Sequence, residues 1–317
     1  MNHHDDDMEI SPRPSKRRRR TSSRNIRLSD AEDSLTQRRY WFNDGDIVLE
    51  VDDQLFKVHR SILMCSLIFA DMLELPQSEN VENIDGCPSV KMPGDSARDW
   101  NAVLSWMYDR IGFARQPVVF QVLAGTMRIS TKYEIYDLRE WAKRELFSRW
   151  PIDLTKMNNN ALPHAAEAIC LARECDIPEI LPAAFYALST QRWAHNAEGG
   201  QSHLTLHPED LRCFIAGRES LQDHLLNILV APTGHGESHE VLCPSCEYNF
   251  RTLLIGRLSP THSSPIGCWL LRELLQLDAF NPPASLKICP RCAVSFNQLT
   301  SARVTVLQDA IPRYFLL

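Results

Sequence analysis

The stretch "DGDIVLEVDDQLFKVHRSIL", residues 44–63, decides the fold of the first half of the chain. Ile47, Leu49 and Val51 recur at every second position. This period of two predicts a β-strand with one apolar face. The polar run 52–54 that follows is typical of a tight turn, and a second short apolar run comes directly after it. The stretch therefore predicts a β-hairpin.

From Ser61 onward the apolar residues recur every three or four positions, which predicts a helix rather than a strand. His59 and Arg60 lie at the junction between the hairpin and this helix. The residues of the predicted apolar helix face are Ile62, Cys65, Phe69, Met72 and Leu73.

Residues 39–149 are predicted to form one α+β domain. The segment "SVKMP", residues 89–93, predicts a third strand. Three amphipathic helices are then predicted, around 100–108, 119–127 and 135–146. Strands that come early and helices that come late indicate an α+β domain and not an alternating α/β domain.

The rest of the chain divides by composition into three further parts. Residues 1–38 are polar and charged without apolar periodicity, which predicts a disordered basic tail. Residues 150–230 predict a helical extension, in which Gly217 separates two helical stripes. Residues 231–317 predict a helical C-terminal region that contains two cysteine pairs.

Charge and hydropathy exclude several classes of function. The net charge is −6, yet residues 1–27 carry eight Lys/Arg and four Asp/Glu, so the remainder is acidic. An acidic body argues against direct nucleic-acid binding, which needs a basic face. No apolar run is long enough for a membrane-spanning helix, and no signal peptide is recognised, so the protein is expected not to be secreted and its cysteines are expected to be reduced.

The basic cluster "KRRRR" is typical of a nuclear-import signal, which predicts a nuclear or nucleocytoplasmic protein. Two alternative interpretations are a solvated basic tail and a tail that contacts RNA. Ser22 and Ser23 lie beside the cluster, where phosphorylation would change its charge. The residues of the cluster are Lys16, Arg17, Arg18, Arg19 and Arg20.

Residues 41–149 resemble a BTB (POZ) domain. The resemblance rests on Asp46, the run "LFKVHR" at 55–60, the helix "SLIFADML" at 66–73, "VLSWMYD" at 103–109 and the helical pair "VFQVLAGTMRISTKYEIYDLREWAKREL" at 119–146. The chain as a whole is similar to the expanded BTB proteins of mushroom-forming fungi, on "RRYWFNDGDIVLEV", "FADMLELPQ", "FIAGRESL" and the terminal "CPRC".

The resemblance implies a non-enzymatic adaptor or scaffold that binds proteins and forms homodimers. It also implies a charged pocket made by Asp46 and Arg60, with His59 beside it as a hydrogen-bonded structural residue. Some BTB proteins recruit a cullin scaffold of ubiquitin ligases, which is the alternative function. The polar segment "ELPQSENVENIDG", residues 74–86, lacks the apolar-x-Glu motif that often helps this recruitment, so we do not favour it.

The two pairs Cys243-Pro-Ser-Cys246 and Cys289-Pro-Arg-Cys292 carry the sharpest chemical signal. Cys-x2-Cys on a tight turn supplies two thiolates to one Zn²⁺, and two such turns complete a tetrahedron. A structural zinc site is one interpretation, and buried or free thiols are the other. His235 and His239 are weaker ligand candidates.

A zinc-stabilised C-terminal module in a transcription-linked factor is a further alternative function. An enzyme is not predicted, because no P-loop, G-x-S-x-G, H-E-x-x-H or dinucleotide fingerprint occurs.

Overall fold

A computed structural model describes residues 39–75, 83–191, 206–230, 242–258, 268–279 and 287–317. The predicted hairpin is confirmed: strand β1 (Ile47–Val51) pairs antiparallel with β2 (Gln54–Val58). Asp52 begins the turn between them with a φ of 47°. Its carboxylate also accepts a hydrogen bond from the backbone N–H of Ala97 at 3.1 Å. The turn is therefore fixed to the start of a later helix.

The sheet has four strands in the order β2-β1-β4-β3. The predicted third strand is β4 (Cys87–Lys91), which runs parallel to β1, and a two-residue strand β3 (Asn83–Ile84) lies antiparallel to β4 at the edge. Within β1 both Val48 and Leu49 are fully buried, so this strand is covered on both faces.

The single helix predicted from Ser61 is wrong, because the structure has two helices, α1 (Arg60–Leu63) and α2 (Leu67–Glu74). Ser66 separates them as the N-cap of α2, where its hydroxyl accepts a hydrogen bond from the N–H of Phe69 at 3.1 Å. A serine at this position satisfies an orphan helix donor and favours a new helix start. The break leaves Cys65 exposed rather than in the core.

The three predicted helices of the first domain are confirmed as α3 (Ala97–Tyr108), α5 (Phe120–Lys132) and α6 (Tyr136–Arg149). A short helix, α4 (Arg110–Arg115), was not predicted. Asp109 starts it by accepting a hydrogen bond from the N–H of Gly112 at 2.8 Å. The α+β fold of the domain is thus as the sequence indicates.

The region after α6 is helical, as predicted, and the described part of the chain contains no helix long and apolar enough to cross a bilayer. Three short 3₁₀ turns, Leu154–Lys156, Asn159–Ala161 and Pro178–Ile180, connect its first elements. Its helices are α7 (Ala165–Glu174), α8 (Leu181–Ser189), α9 (Pro208–Val230), α10 (Pro244–Leu258), α11 (Cys268–Ala279) and α12 (Pro290–Tyr314).

Gly217 does not separate two helices, because α9 is continuous through it. The reason for glycine here is packing. A Cβ at this position would lie 2.0 Å from Cδ1 of Phe315, a residue just beyond α12 that is fully buried and stacks on Phe185 at 5.4 Å between centroids. Gly217 therefore allows the C-terminal end of the chain to pack closely against α9.

Two hydrophobic clusters hold the fold, and helices α5 and α6 contribute to both. Ile129 and Leu138 belong to the cluster beneath the sheet. Met127 and Leu146, on the same two helices, belong to the cluster that continues through α7 to α12. Trp141 packs against both clusters. The C-terminal region is thus joined to the first domain by a packed seam.

Candidate metal centre and interaction surfaces

The structure brings the four predicted cysteines together. The sequence predicts two tight turns, whereas each pair lies at the start of a helix: Cys243 directly precedes α10, and Cys289 is the N-cap of α12. Each helix begins with the proline of its motif, which suits the first helical position because proline has no N–H to satisfy there. Cys246 and Cys292 then fall in the first helical turns and are buried.

The sulfur atoms of Cys243, Cys246, Cys289 and Cys292 all lie within 4.8 Å of one another. The two motifs also exchange hydrogen bonds. The backbone N–H of Cys243 donates to Sγ of Cys292 at 3.4 Å, and the N–H of Cys289 donates to Sγ of Cys246 at 3.3 Å. These bonds orient the buried sulfurs toward a common centre.

The local electrostatics differ within the cluster: against the lowering effect of a backbone N–H on each, burial and the neighbouring thiols raise the pKa of Cys246 to about 12 and also raise that of Cys292. Both motifs lie at helix N-termini, where the unsatisfied N–H groups and the helix dipole stabilise negative charge. The N–H of Cys292 and the neighbouring thiols lower the pKa of Cys289 to about 7. Four convergent sulfur donors of this kind could hold a metal ion. The weaker candidates, His235 and His239, lie outside the described residues.

At the hairpin–helix junction, Asp46 contacts the backbone of Arg60 rather than its guanidinium. The carboxylate accepts a hydrogen bond from the N–H of Arg60, the first residue of α1, at 2.7 Å. It thereby satisfies a helix-start donor that the N-cap residue, His59, does not satisfy with its own side chain. The two residues meet as the resemblance implies, but through a helix cap.

His59 is held by aromatic neighbours. Its Nδ1 lies 2.8 Å from the hydroxyl of Tyr108, and its backbone N–H donates to that hydroxyl at 3.1 Å. Its Nε2 lies 3.4 Å from Asp44, and the ring of Phe42 lies 5.1 Å away. These contacts support the structural role given to His59 and attach the segment before β1 to the end of α3.

A buried carboxylate that sequence reasoning missed lies between the sheet and the helices. Asp95 accepts hydrogen bonds from Trp100 Nε1 at 2.9 Å, from the Tyr133 hydroxyl at 2.5 Å and from Lys132 Nζ at 2.6 Å. Burial and the bond to Asp95 raise the pKa of Tyr133. The sequence signals Asp95 only as part of an Asp-Ser pair before a helix, and in that pair Ser96, not Asp95, is the N-cap residue of α3.

Helices α1 and α2 present a surface of large apolar side chains to solvent. We name this surface the α1–α2 apolar face. Leu67 is 63% exposed and Leu75 is 64% exposed. Its members are Met64, Leu67, Ile68 and Leu75. Met64 and Leu75 are the C-caps of α1 and α2, and Leu67 and Ile68 begin α2. Four large exposed apolar residues within twelve positions mark a candidate interaction site.

A groove of about 460 Å³ lies between the end of α3, α4 and α6. The guanidinium of Arg110 covers the ring of Trp106 at 4.0 Å and pairs with Asp137 at 3.2 Å. Tyr136 and Trp141 also line the groove. Its aromatic and arginine lining has the composition that protein interfaces favour.

The basic cluster from Lys16 to Arg20 lies outside the described residues, as does the disordered tail predicted for residues 1–38. Nuclear import therefore stays a prediction of the sequence. Residues 76–82, the larger part of the polar segment 74–86, also lie outside the described residues.

Comparison with known proteins bears on the first domain. Residues 37–147 match the family model of the BTB/POZ domain. No curated protein matches the chain. BTB/POZ domains bind proteins, generally dimerise and are generally non-enzymatic. Residues 37–147 therefore form a BTB/POZ domain, and a helical region follows it in this chain.

Proposed function

We propose that this protein is a non-enzymatic scaffold whose BTB domain pairs with a second copy through the α1–α2 apolar face. The observation that carries the proposal is the exposure of that face. Burying one large apolar side chain contributes about 1.5–3 kcal/mol, and a two-fold interface buries each member twice. A self-complementary apolar surface of this kind favours a homodimer that presents two copies of every other binding surface.

Charge placed on the α1–α2 apolar face tests the proposal. We expect Leu67→Asp to shift the full-length protein from dimer to monomer, as measured by light scattering during gel filtration, because a carboxylate would be buried at the interface. The matched control is Ile152→Asp, since Ile152 is also 63% exposed but lies beyond α6. A dimer that survives Leu67→Asp, or a native protein that is monomeric at micromolar concentration, contradicts the proposal.

Partners would bind the scaffold through surfaces such as the groove beside Trp106 and Trp141. Capture of proteins from native extract by the full-length chain, compared with Tyr136→Ala, identifies those that need the groove, because Tyr136 lines it and is 72% exposed. Recovery of a cullin would favour the ligase-adaptor alternative, and recovery of chromatin proteins would favour the transcription-linked alternative. The import hypothesis is tested separately, because replacing Lys16 to Arg20 by alanine should keep a fluorescent fusion out of the nucleus.

The second candidate property is a structural Zn²⁺ held by the four cysteines. The observation that favours it is the convergence of four sulfurs at the starts of two helices. Tetrahedral zinc with Zn–S bonds of about 2.3 Å needs sulfurs roughly 3.8 Å apart, which a small inward movement of the present cluster supplies. Four thiolates leave no position for a water, so the metal would tie α10 to α12 and would not catalyse.

Metal analysis of the purified protein tests the zinc site. We expect about one zinc per chain in the native protein and a large loss in Cys246→Ser, because three thiolates hold the ion less tightly. The control is Cys65→Ser, which removes an exposed thiol from a distant helix break. Equal zinc contents in Cys246→Ser and in the native protein would contradict the assignment.

A further inference from the structure

Two of the four cysteines are open to small oxidants. Cys243 and Cys289 keep solvent-accessible surface, whereas Cys246 and Cys292 are buried behind them. Thiolates at helix N-termini are nucleophilic and are the cysteines that peroxides oxidise. Each accessible cysteine also has a partner three residues further along in its own motif, with its sulfur within 4.8 Å.

The cysteine cluster lies where α10 and α12 meet at their N-terminal ends. Besides the sulfurs, these ends are joined by a hydrogen bond from Asn249 Nδ2 to the carbonyl of Lys287 at 2.9 Å and by the edge-to-face contact of Phe250 with Phe296 at 5.0 Å. The hydrophobic cluster that contains Phe250 and Phe296 includes no residue of the described sheet strands. A change at the sulfurs therefore acts first on the two helix starts, and we expect the sheet of the BTB domain to be unaffected.

We infer that the four-cysteine site is a peroxide-sensitive clamp, in which oxidation pairs the sulfurs within each motif, releases the metal and separates the starts of α10 and α12. The inference rests on the zinc site proposed above. Pairing within a motif is favoured because a Cys-x2-Cys closes a short loop and its two sulfurs lie on one helix start.

Hydrogen peroxide is the oxidant in the formation of each disulfide. Peroxide oxidises one thiolate to a sulfenic acid and is reduced to hydroxide, which a proton converts to water. The second thiolate of the motif attacks that sulfur, an S–S bond forms, and the sulfenic oxygen leaves as water after taking up a proton. Each disulfide removes two electrons and two metal ligands. A second peroxide repeats the reaction at the other motif, and the Zn²⁺ leaves.

The test uses full-length protein reconstituted with zinc and titrated with peroxide. A chromogenic chelator reports released zinc, mass spectrometry after alkylation reports the disulfides, and hydrogen exchange reports residues 242–250 and 287–296. We expect release of the bound zinc, disulfides Cys243–Cys246 and Cys289–Cys292, and exchange at the two helix starts that is about tenfold faster. Exchange in β1 should not change, and a dithiol with added zinc should reverse all three effects.

Cys65→Ser serves as the control and should behave like the native protein, because Cys65 lies outside the site. Zinc that stays bound at a tenfold excess of peroxide overturns the clamp and leaves the zinc site standing. Disulfides that join the two motifs also overturn it, since they would keep the helix starts together. Failure to bind zinc after reconstitution overturns the zinc site and the clamp with it.

Discussion

Replacing Gly217 by alanine tests how the end of the chain packs on α9. The new Cβ would lie 2.0 Å from Cδ1 and 2.1 Å from Cε1 of Phe315, well inside van der Waals contact. The ring is fully buried and stacked on Phe185, so it cannot turn aside without leaving its site. A phenylalanine lost from a core costs about 3–5 kcal/mol, and the better helix propensity of alanine offsets about 1 kcal/mol. We therefore expect the free energy of unfolding to fall by about 2–4 kcal/mol.

The matched control is Gly256→Ala in α10, where a Cβ would meet nothing within 4 Å. In this variant only the higher helix propensity of alanine acts, so its free energy of unfolding should rise by up to about 1 kcal/mol. Urea unfolding followed by circular dichroism measures both variants. Phe315→Ala combined with Gly217→Ala should cost no more than Phe315→Ala alone, because the clash is gone. Unchanged or raised stability in Gly217→Ala, or costs that simply add in the double variant, would refute the packing argument.

Three further predictions follow from other contacts, each measured by urea unfolding. Asp95→Asn should lower the free energy of unfolding by about 1.5–3 kcal/mol, because the buried carboxylate of Asp95 accepts three hydrogen bonds. The control Asp137→Asn should lower it by under about 1 kcal/mol, because Asp137 forms an exposed ion pair. Asp46→Ala should lower the free energy of unfolding by about 1 kcal/mol, because it removes the carboxylate that caps the start of α1. Arg60→Ala should lower it clearly less, because Asp46 binds the backbone of Arg60 and not its side chain. Equal losses in the two variants would indicate a side-chain ion pair instead. Burial, with a smaller contribution from a nearby arginine, lowers the pKa of His224 in the folded protein. Below about pH 6.5 the unfolded chain therefore binds more protons at this residue than the folded chain. The free energy of unfolding of the native protein should then fall more steeply from pH 7 to pH 5 than that of His224→Gln.

The hairpin and the main helices of the BTB domain could be predicted because their signals are local. The spacing of Ile47, Leu49 and Val51 defines a strand face whatever the strand later contacts. The helical periods of α3, α5 and α6 likewise mark the sides that are buried. Periodicity is thus sufficient to predict a helix or strand wherever one face of the element packs on the core and the other faces water.

The errors fall where a contact distant in sequence decides the local structure. Ser66 ends one helix and starts another, and its hydroxyl also donates to the carbonyl of Tyr133. Glycine is usually a helix breaker, yet Gly217 lies inside α9, because the ring of Phe315 occupies the space that a side chain at position 217 would need. Asp95 lies in a loop, as its sequence context indicates, yet its partners come from α3 and from the C-terminal end of α5. Periodicity and propensity carry no information about such partners.

The candidate metal centre could be predicted in its residues but not in its geometry. The spacing of the two Cys-x2-Cys motifs pointed to four ligands, and these four sulfurs do come together. The helical setting was missed, although the proline after the first cysteine of each motif is a known signal for a helix start. The reciprocal N–H to sulfur bonds depend on how α10 meets α12, which no local pattern encodes.

The seam between the BTB domain and the helical region limits where partners can bind. Arg128 on α5 pairs with Glu174 of α7 at 2.6 Å, and Arg139 on α6 donates to the carbonyl of Cys175 at 3.1 Å. With Met127 and Leu146 buried in the second cluster, these sides of α5 and α6 are already occupied within the chain. The α1–α2 apolar face and the groove beside Trp106 remain open on the same domain. The helical region thus covers one side of the BTB domain, and we expect partners of that domain to bind at these two surfaces.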